Sequence, residues 1–274
     1  GCHGPLQLLG EATASIESGS LACTRCLKQF PIEEGIPHFI RYEELTGMNR
    51  RFARLYDWFS HVYVPVTKIA YAFIGGEVSS RREVLDRLAP KQGKVLEVSI
   101  GPGVNLPYLI GRPGVGEVYG LDISLGQIRR CRSVCRKRDW QVDLFLGNAE
   151  ELPFEDESFA AVFHIGGINF FSDKRKAIEE MIRVAQPAAK IIIVDEQEKG
   201  ARLYAATIPG FRRIFKGERE TVSAPVAFVP PEMVDLRVTD VWRGWGYCRP
   251  AAGRPARWPA PRPGSTFTGW PATP

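Results

Sequence analysis

The chain has 274 residues, 44% of them hydrophobic, a formal charge of +5 and six cysteines. That apolar content suits one large folded domain with an appendage and excludes a disordered or collagen-like chain. The apolar run from Val62 to Ile74 is broken by Pro65 and Lys68 and is too short to cross a bilayer, and no secretory leader is evident. Irregularly spaced cysteines in a chain this long do not read as a disulfide framework, so a reducing, cytoplasmic setting is expected.

The first region, residues 1–41, opens with C-H-G-P-L and continues through a polar spacer to LACTRCLKQFPIEEGIPHFI. Cys23 and Cys26 form a C-x-x-C pair, a spacing at which both sulfurs reach one tetrahedral metal ion. The next segment, Asn49 to Phe73, is dense in aromatics and carries Tyr56, Trp58, His61 and Tyr63.

Strand and helix patterns alternate in the body of the chain, with no internal repeat. Strands are expected at Lys94–Ile100, Glu117–Leu121, Val142–Leu146, Ala160–His164 and Lys190–Asp195. Helices are expected from Val104, at Ser124–Lys137 and at Asp173–Val184. This alternation predicts a parallel sheet covered on both faces, with ligands at the carboxyl ends of its strands. Cys131 and Cys135 lie four apart on a helix without other evident ligands and read as inert.

The segment KVLEVSIGPGVN, Lys94 to Asn105, runs an apolar strand into a glycine turn and a helix start. Gly101 and Gly103 let backbone approach a ligand closely, and the following helix offers N–H groups to polar atoms. A dinucleotide site would place a third glycine at position 106, which is Leu106, and Pro102 removes a donor from the turn. A nucleotide cofactor without a pyrophosphate therefore fits better. Glu97 lies inside the strand, and Asp122 ends the next one, where an acidic residue holds ribose hydroxyls.

Taken in order and spacing, LEVSIGPG, YGLDIS and GNAEELPFEDESFAAV resemble class I S-adenosylmethionine (SAM) methyltransferases of the ubiquinone/menaquinone-biosynthesis type, from about Asn49 to Trp242. The resemblance implies an α/β, Rossmann-like, mostly parallel sheet in residues 42–248, preceded by lid helices. It also implies that Glu97, Ser99, Gly101 and Gly103 meet the methionine end of SAM, that Asp122 binds the ribose, that Asn148 and Ala149 meet the adenine, and that Ile123 covers the ring. Ser99 stands where the family has its first glycine; a modest effect is expected, and a positive φ there would count against it. Asn148 stands where aspartate is common.

Methyl transfer from a sulfonium needs a base only when the nucleophile carries a proton. His164 is the candidate base, with a backbone-bonded structural histidine as the alternative. Tyr56, His61, Tyr63 and Asn169 are candidate acceptor-pocket residues, and Arg212 and Arg213 could meet an anionic substrate. The acceptor is expected to be an apolar or aromatic small molecule.

Residues 1–41 are similar to a small zinc-ribbon-like domain found in an activator subunit shared by several methyltransferases. There the first knuckle reads C-P-x-C-x-G-P-L, so Cys2 would be its second cysteine, and Cys2, Cys23 and Cys26 would form an incomplete structural zinc site. A metal-free domain is equally compatible. The same domain supports an alternative function, rRNA or tRNA base methylation, although no N-P-P-Y signature follows His164. A SAM-binding regulatory module without turnover is a third reading.

Four arginines, at 249, 254, 257 and 262, follow Cys248 in a stretch without acidic residues, and removing those four leaves a formal balance of +1. The other basic cluster, Arg129 to Arg138, falls late in a predicted helix, where positive charge complements the helix terminus; a solvated face is expected there, with RNA contact as the alternative. By resemblance, the sheet should end in an antiparallel hairpin whose last strand is inserted between its neighbours. The first strand is expected at Leu236–Trp242. The return strand starts at Tyr247 and is expected to break off after Cys248, because seven prolines lie between Arg249 and Pro274. Residues 249–274 thus read as an aberrant or disordered tail and the hairpin as incomplete, unless Ser265–Trp270 supplies the strand.

Overall fold

The computed structural model describes residues 4–9, 16–59, 76–90, 92–196, 226–230, 233, 237–241 and 246–252. In the first region, strands β1 (Leu6–Leu9), β2 (Ser18–Cys23), β3 (Gln29–Glu33) and β4 (Ile36–Pro37) pair consecutively and antiparallel into a four-stranded sheet. Helix α1 (Gly47–Phe59) and helix α2 (Glu77–Leu85) follow.

The second sheet contains β5 (Gly93–Val98), β6 (Val115–Asp122), β7 (Val142–Leu146), β8 (Phe159–Ile165), β9 (Ala185–Glu196), β10 (Thr239–Val241) and β11 (Gly246–Ala252), in the order β10-β11-β9-β8-β5-β6-β7. The pairs among β5 to β9 are parallel. Near-continuous apolar runs such as Phe159–Phe163 and Ile191–Val194 account for burial on both faces. One face packs Leu96, Val98, Phe145 and Val162 with helix α5 (Lys174–Val184); the other packs Val95, Val118, Phe163 and Ile192 with α2, the short helix α3 (Leu106–Leu109) and helix α4 (Leu125–Arg138). The chain leaves β5 toward β6 and β7, then crosses back to β8 and β9. The switch point between β5 and β8 opens the crevice in which such sheets bind ligands.

Local signals explain the helix limits. Ser124 caps α4 by accepting from Gln127 N, and Asp173 caps α5 by accepting from Lys176 N. The helix expected from Val104 is a single turn, because Ile110 is extended and Gly111 turns at φ 81°. Strand β9 starts five residues before the expected Lys190, directly after α5, with an irregularity that includes Ala188 at φ 62°.

The expected break after Cys248 does not occur. Strand β11 pairs antiparallel with β9 from Gly246↔Glu196 through Ala252↔Lys190, and with β10 from Cys248↔Thr239 to Gly246↔Val241. The hairpin is therefore closed, with its last strand between β10 and β9. Pro250 is tolerated because it lies beyond the part of β11 that β10 covers, so that flank demands no ladder bond from it. Ser265–Trp270 and the rest of the tail past Ala252 lie outside the described residues.

The small sheet docks on the open edge of the large one. Phe39 N donates to Leu146 O at 2.8 Å, and His38 bridges Leu146 in parallel fashion, which covers edge strand β7. The Phe39 ring packs between Phe30 and Phe145. Glu17 receives Arg132 and Arg136, and Glu34 pairs with Arg129 and Arg132. Three members of the basic cluster on α4 thus pair with acidic residues that flank the N-terminal strands; Arg129 and Arg136 stay exposed, as a solvated face would have them, and Arg132 is half-buried.

Candidate functional site

At the carboxyl end of β5 the backbone turns through three positive φ values: Ser99 at 61°, Gly101 at 55° and Gly103 at 76°. A Cβ on Gly103 would lie 2.7 Å from Cys131 Sγ and 2.8 Å from Leu106, so this glycine lets the turn rest on α4. Cys131, read as inert, is the buttress beneath it. A Cβ on Gly101 would meet nothing within 4 Å, leaving that side of the turn open to an approaching ligand. Ser99 does adopt the left-handed conformation that favours glycine, so its effect is not negligible. Ser99→Gly is expected to raise stability by about 1 kcal/mol, read as a shift in urea midpoint.

Asp122, at the end of β6, is buried and ties the site together. Its Oδ2 accepts from Gly101 N at 2.8 Å and its Oδ1 from Ser124 N at 2.9 Å, so one carboxylate joins the glycine turn to the start of α4. Burial pushes its carboxyl up to about 6, against the pull of the Ser124 and Gly101 N–H groups. Glu97 is buried in β5 and accepts from Asn105 Nδ2, whose Oδ1 in turn accepts from Arg81 of α2. Its Oε2 has no hydrogen-bond partner among the described residues, and burial pushes its carboxyl up to about 8. Arg81 carried no motif in the sequence, and Asn105 stood only as the last residue of KVLEVSIGPGVN; the fold brings both to Glu97.

Helix α1 lies over these strand ends and is pinned at both of its own ends. Asp57 Oδ1 accepts from Ser124 Oγ at 2.6 Å and Gly126 N at 2.8 Å, while its Oδ2 accepts from Tyr42 OH at 2.7 Å. Tyr42 OH also accepts from Leu125 N at 2.9 Å. The first four N–H groups at α4 are thereby satisfied by Asp122, Tyr42, Asp57 and Ser124, two of them supplied from the α1 side. At the other end Asn49 Nδ2 donates to Glu150 Oε1 at 2.9 Å and to Asn148 Oδ1 at 3.5 Å, and Asn49 exchanges bonds with Ser172. Asn148 Oδ1 also accepts from Glu150 N. Phe52 stacks on Phe170 with centroids 4.4 Å apart.

Residues 96–193 match the methyltransferase-domain family model. The chain carries a class I SAM-dependent methyltransferase domain. It is 37% identical over 117 residues to the demethylmenaquinone methyltransferase of Paenarthrobacter aurescens (strain TC1), covering 42% of this chain and 44% of that protein. It is 35% identical over 94 residues to a phthiotriol/phenolphthiotriol dimycocerosates methyltransferase of Mycobacterium tuberculosis (strain ATCC 25177 / H37Ra), 34% of each. The chain spans about half the length of such relatives or less. In fold alone it is similar to a Haemonchus contortus phospholethanolamine N-methyltransferase 2, with TM-score 0.58 at 15% identity, covering 83% of this chain and 62% of that one.

Within the methyltransferase domain, the turn at Ser99, Gly101 and Gly103, together with Glu97, Asp122, half-buried Ile123, half-buried Asn148 and buried Ala149, falls at the carboxyl ends of β5, β6 and β7. His164 is fully buried. Its Nδ1 bonds Val98 O at 2.9 Å, Phe171 packs on its ring at 5.2 Å, and Nε2 has no hydrogen-bond partner among the described residues. Burial holds its pKa below the ordinary histidine value, so it sits as a neutral, backbone-bonded strand residue. Tyr56 packs on Phe52, at 6.2 Å between centroids. His61, Tyr63, Arg212 and Arg213 lie outside the described residues.

Cys26 N donates to Cys23 Sγ at 3.5 Å in the turn after β2, yet no group of three or more potential metal ligands occurs among the described residues. Cys2 and His3 lie outside them. Two sulfurs do not complete a tetrahedral site, so the described donor set does not fit a structural zinc ion.

Proposed function

We propose that this chain transfers the methyl group of SAM to an apolar or aromatic small-molecule acceptor. The observation that carries the reading is the Asp122 carboxylate, held against the glycine turn and the start of α4 beneath α1. In this reading Asp122 takes the ribose hydroxyls, and Glu97, Ser99, Gly101 and Gly103 take the methionine end. Asn148, Ala149 and Ile123 surround the adenine. The names of the curated relatives support an aromatic or lipid acceptor, and the aromatic cover supplied by Phe52, Tyr56 and Phe170 is consistent with one.

The reaction is an in-line displacement. The S–CH3 bond breaks as the acceptor–CH3 bond forms, S-adenosylhomocysteine (SAH) leaves with the electron pair, and the acceptor's proton passes to water. Buried His164 is not placed to take that proton, so positioning supplies the rate and electron-rich acceptors are favoured. RNA methylation is the weaker reading, since no N-P-P-Y signature follows His164. No helix of the described residues is long and apolar enough to cross a membrane; a cytoplasmic location remains part of the proposal.

Calorimetry with SAH and with NAD, followed by a panel of hydroxylated naphthalenes and an RNA fragment as acceptors, tests the reading. SAH binding with methylation of the aromatic panel is expected; NAD binding, or methylation of RNA alone, would overturn it. Tyr56→Ala should raise the acceptor KM about tenfold and leave SAH affinity within about twofold, because it thins the aromatic cover that Tyr56 forms with Phe52.

A further inference from the structure

Past the end of β8 the chain makes a tight turn through Gly166 and Gly167, at φ 81° and 105°, into a single helical turn at Ile168–Phe170. Three N–H groups of this turn converge on one buried carboxylate from the end of β9. Asp195 Oδ1 accepts from Gly167 N at 3.2 Å, and its Oδ2 accepts from Asn169 N at 3.2 Å and Asn169 Nδ2 at 2.9 Å. Gly166 N is held to Val194 O at 2.7 Å, so the turn is fastened to β9 at every donor up to Asn169 except Ile168 N. The loop lies under α1, where Phe170 stacks on Phe52.

Among the polar side chains here, His164 is 0% exposed and Asp195 4% exposed, whereas Asn169 is only partly buried. With its nitrogen committed to Asp195, the Asn169 carboxamide has its oxygen on the opposite side, without a hydrogen-bond partner among the described residues. A fixed acceptor atom at the strand ends, next to an aromatic cover, discriminates between substrates that donate a hydrogen bond and those that do not.

We propose that Asp195 is a positioning residue of the acceptor pocket: by binding the Asn169 nitrogen it presents the Asn169 oxygen to the acceptor, which selects molecules bearing an O–H or N–H beside the methylated atom. This rests on the reading of the site as a methyl-transfer centre. An asparagine at 195 would keep the shape but set an NH2 group against donors, releasing the turn and the Asn169 amide.

The test is a double-mutant cycle of Asp195→Asn and Asn169→Ala. The acceptor probe is a prenylated 1,4-dihydroxynaphthalene, with its di-O-methyl ether as the control that cannot donate. Each single change should raise the dihydroxy acceptor's KM by about tenfold, the loss of one charge-assisted or oriented bond, with SAH affinity within about twofold. The double variant should be no worse than either single one, because the two residues act as a unit. Additive losses, or an equal fall in SAH affinity, would overturn the proposal. If the wild type binds SAH but leaves the naphthalene unmethylated, the aromatic-acceptor reading fails, and the positioning role is decided by amide hydrogen exchange. Exchange accelerated only at Gly167 and Asn169 in Asp195→Asn, with SAH still bound, supports it; unchanged exchange there overturns it.

Discussion

Asp122→Ala should weaken SAH binding by about 1 to 3 kcal/mol, or roughly five- to 150-fold, because buried hydroxyls would lose a charged acceptor. Gly101 N and Ser124 N lose their acceptor in the same change, so the glycine turn should loosen with it. Asp122→Asn should recover little, since its NH2 would face one of those N–H donors. The wild-type affinity should fall as the pH drops through about 6, where the carboxyl that burial has raised takes up its proton. The stability of the ligand-free protein should run the other way. Folded Asp122 holds its proton up to about 6 and folded Glu97 up to about 8, whereas unfolded carboxyls release theirs near 4. The folded state therefore binds more protons across roughly pH 4 to 8, and stability is lost as the pH rises through that window. Urea unfolding at several pH values, with and without SAH, would measure both trends. A stability that rises with pH in wild type, or a wild-type pH profile in Asp122→Asn, would refute this account.

A second large effect is expected at Arg183, whose guanidinium is fully used inside the fold. Nε donates to Glu180 Oε1, Nη1 to Phe154 O and Asp156 Oδ1, and Nη2 to Leu152 O and Glu180 Oε2, at 2.7 to 2.9 Å. The carboxylates beside it are only 11% and 13% exposed. This arginine thus fastens the loop after β7 to helix α5, and Glu180 Oε2 also receives Leu152 N at 2.8 Å. Arg183→Met would take the guanidinium from two poorly solvated carboxylates and two carbonyls and leave Glu180 with Leu152 N, a loss of about 3 to 5 kcal/mol. Arg183→Lys should restore less than half of it, because an ammonium cannot span a planar fork. Chemical denaturation reads the loss directly, and a change under about 1 kcal/mol in Arg183→Met would show the network to be dispensable.

Much of this molecule is written in short-range pattern. Apolar runs ending in Gly101, Asp122 and Asn148 mark strand ends, because a buried parallel strand needs continuous hydrophobicity and its ligand side needs small or polar residues. Ser124 and Asp173 mark helix starts, since their oxygens satisfy first-turn N–H groups. The family resemblance rests on the segments that hold Gly101, Asp122, Ser124 and Asn148. Tertiary structure decided what depends on partners distant in sequence. Pro250 looked like the end of a strand, yet it is harmless once β10 has stopped short of it. Nothing local to α4 names Glu17 and Glu34, about a hundred residues earlier, as the partners of its arginines, although Arg129 and Arg136 remain solvent-facing beside them. His164 looked like a base at a strand end, but its neighbours bury it and bind it to Val98 O. Arg81 and Asp195 have no local signature, for a carboxylate or guanidinium takes its role from the donors and acceptors that the fold brings to it, and those come from elsewhere in the chain.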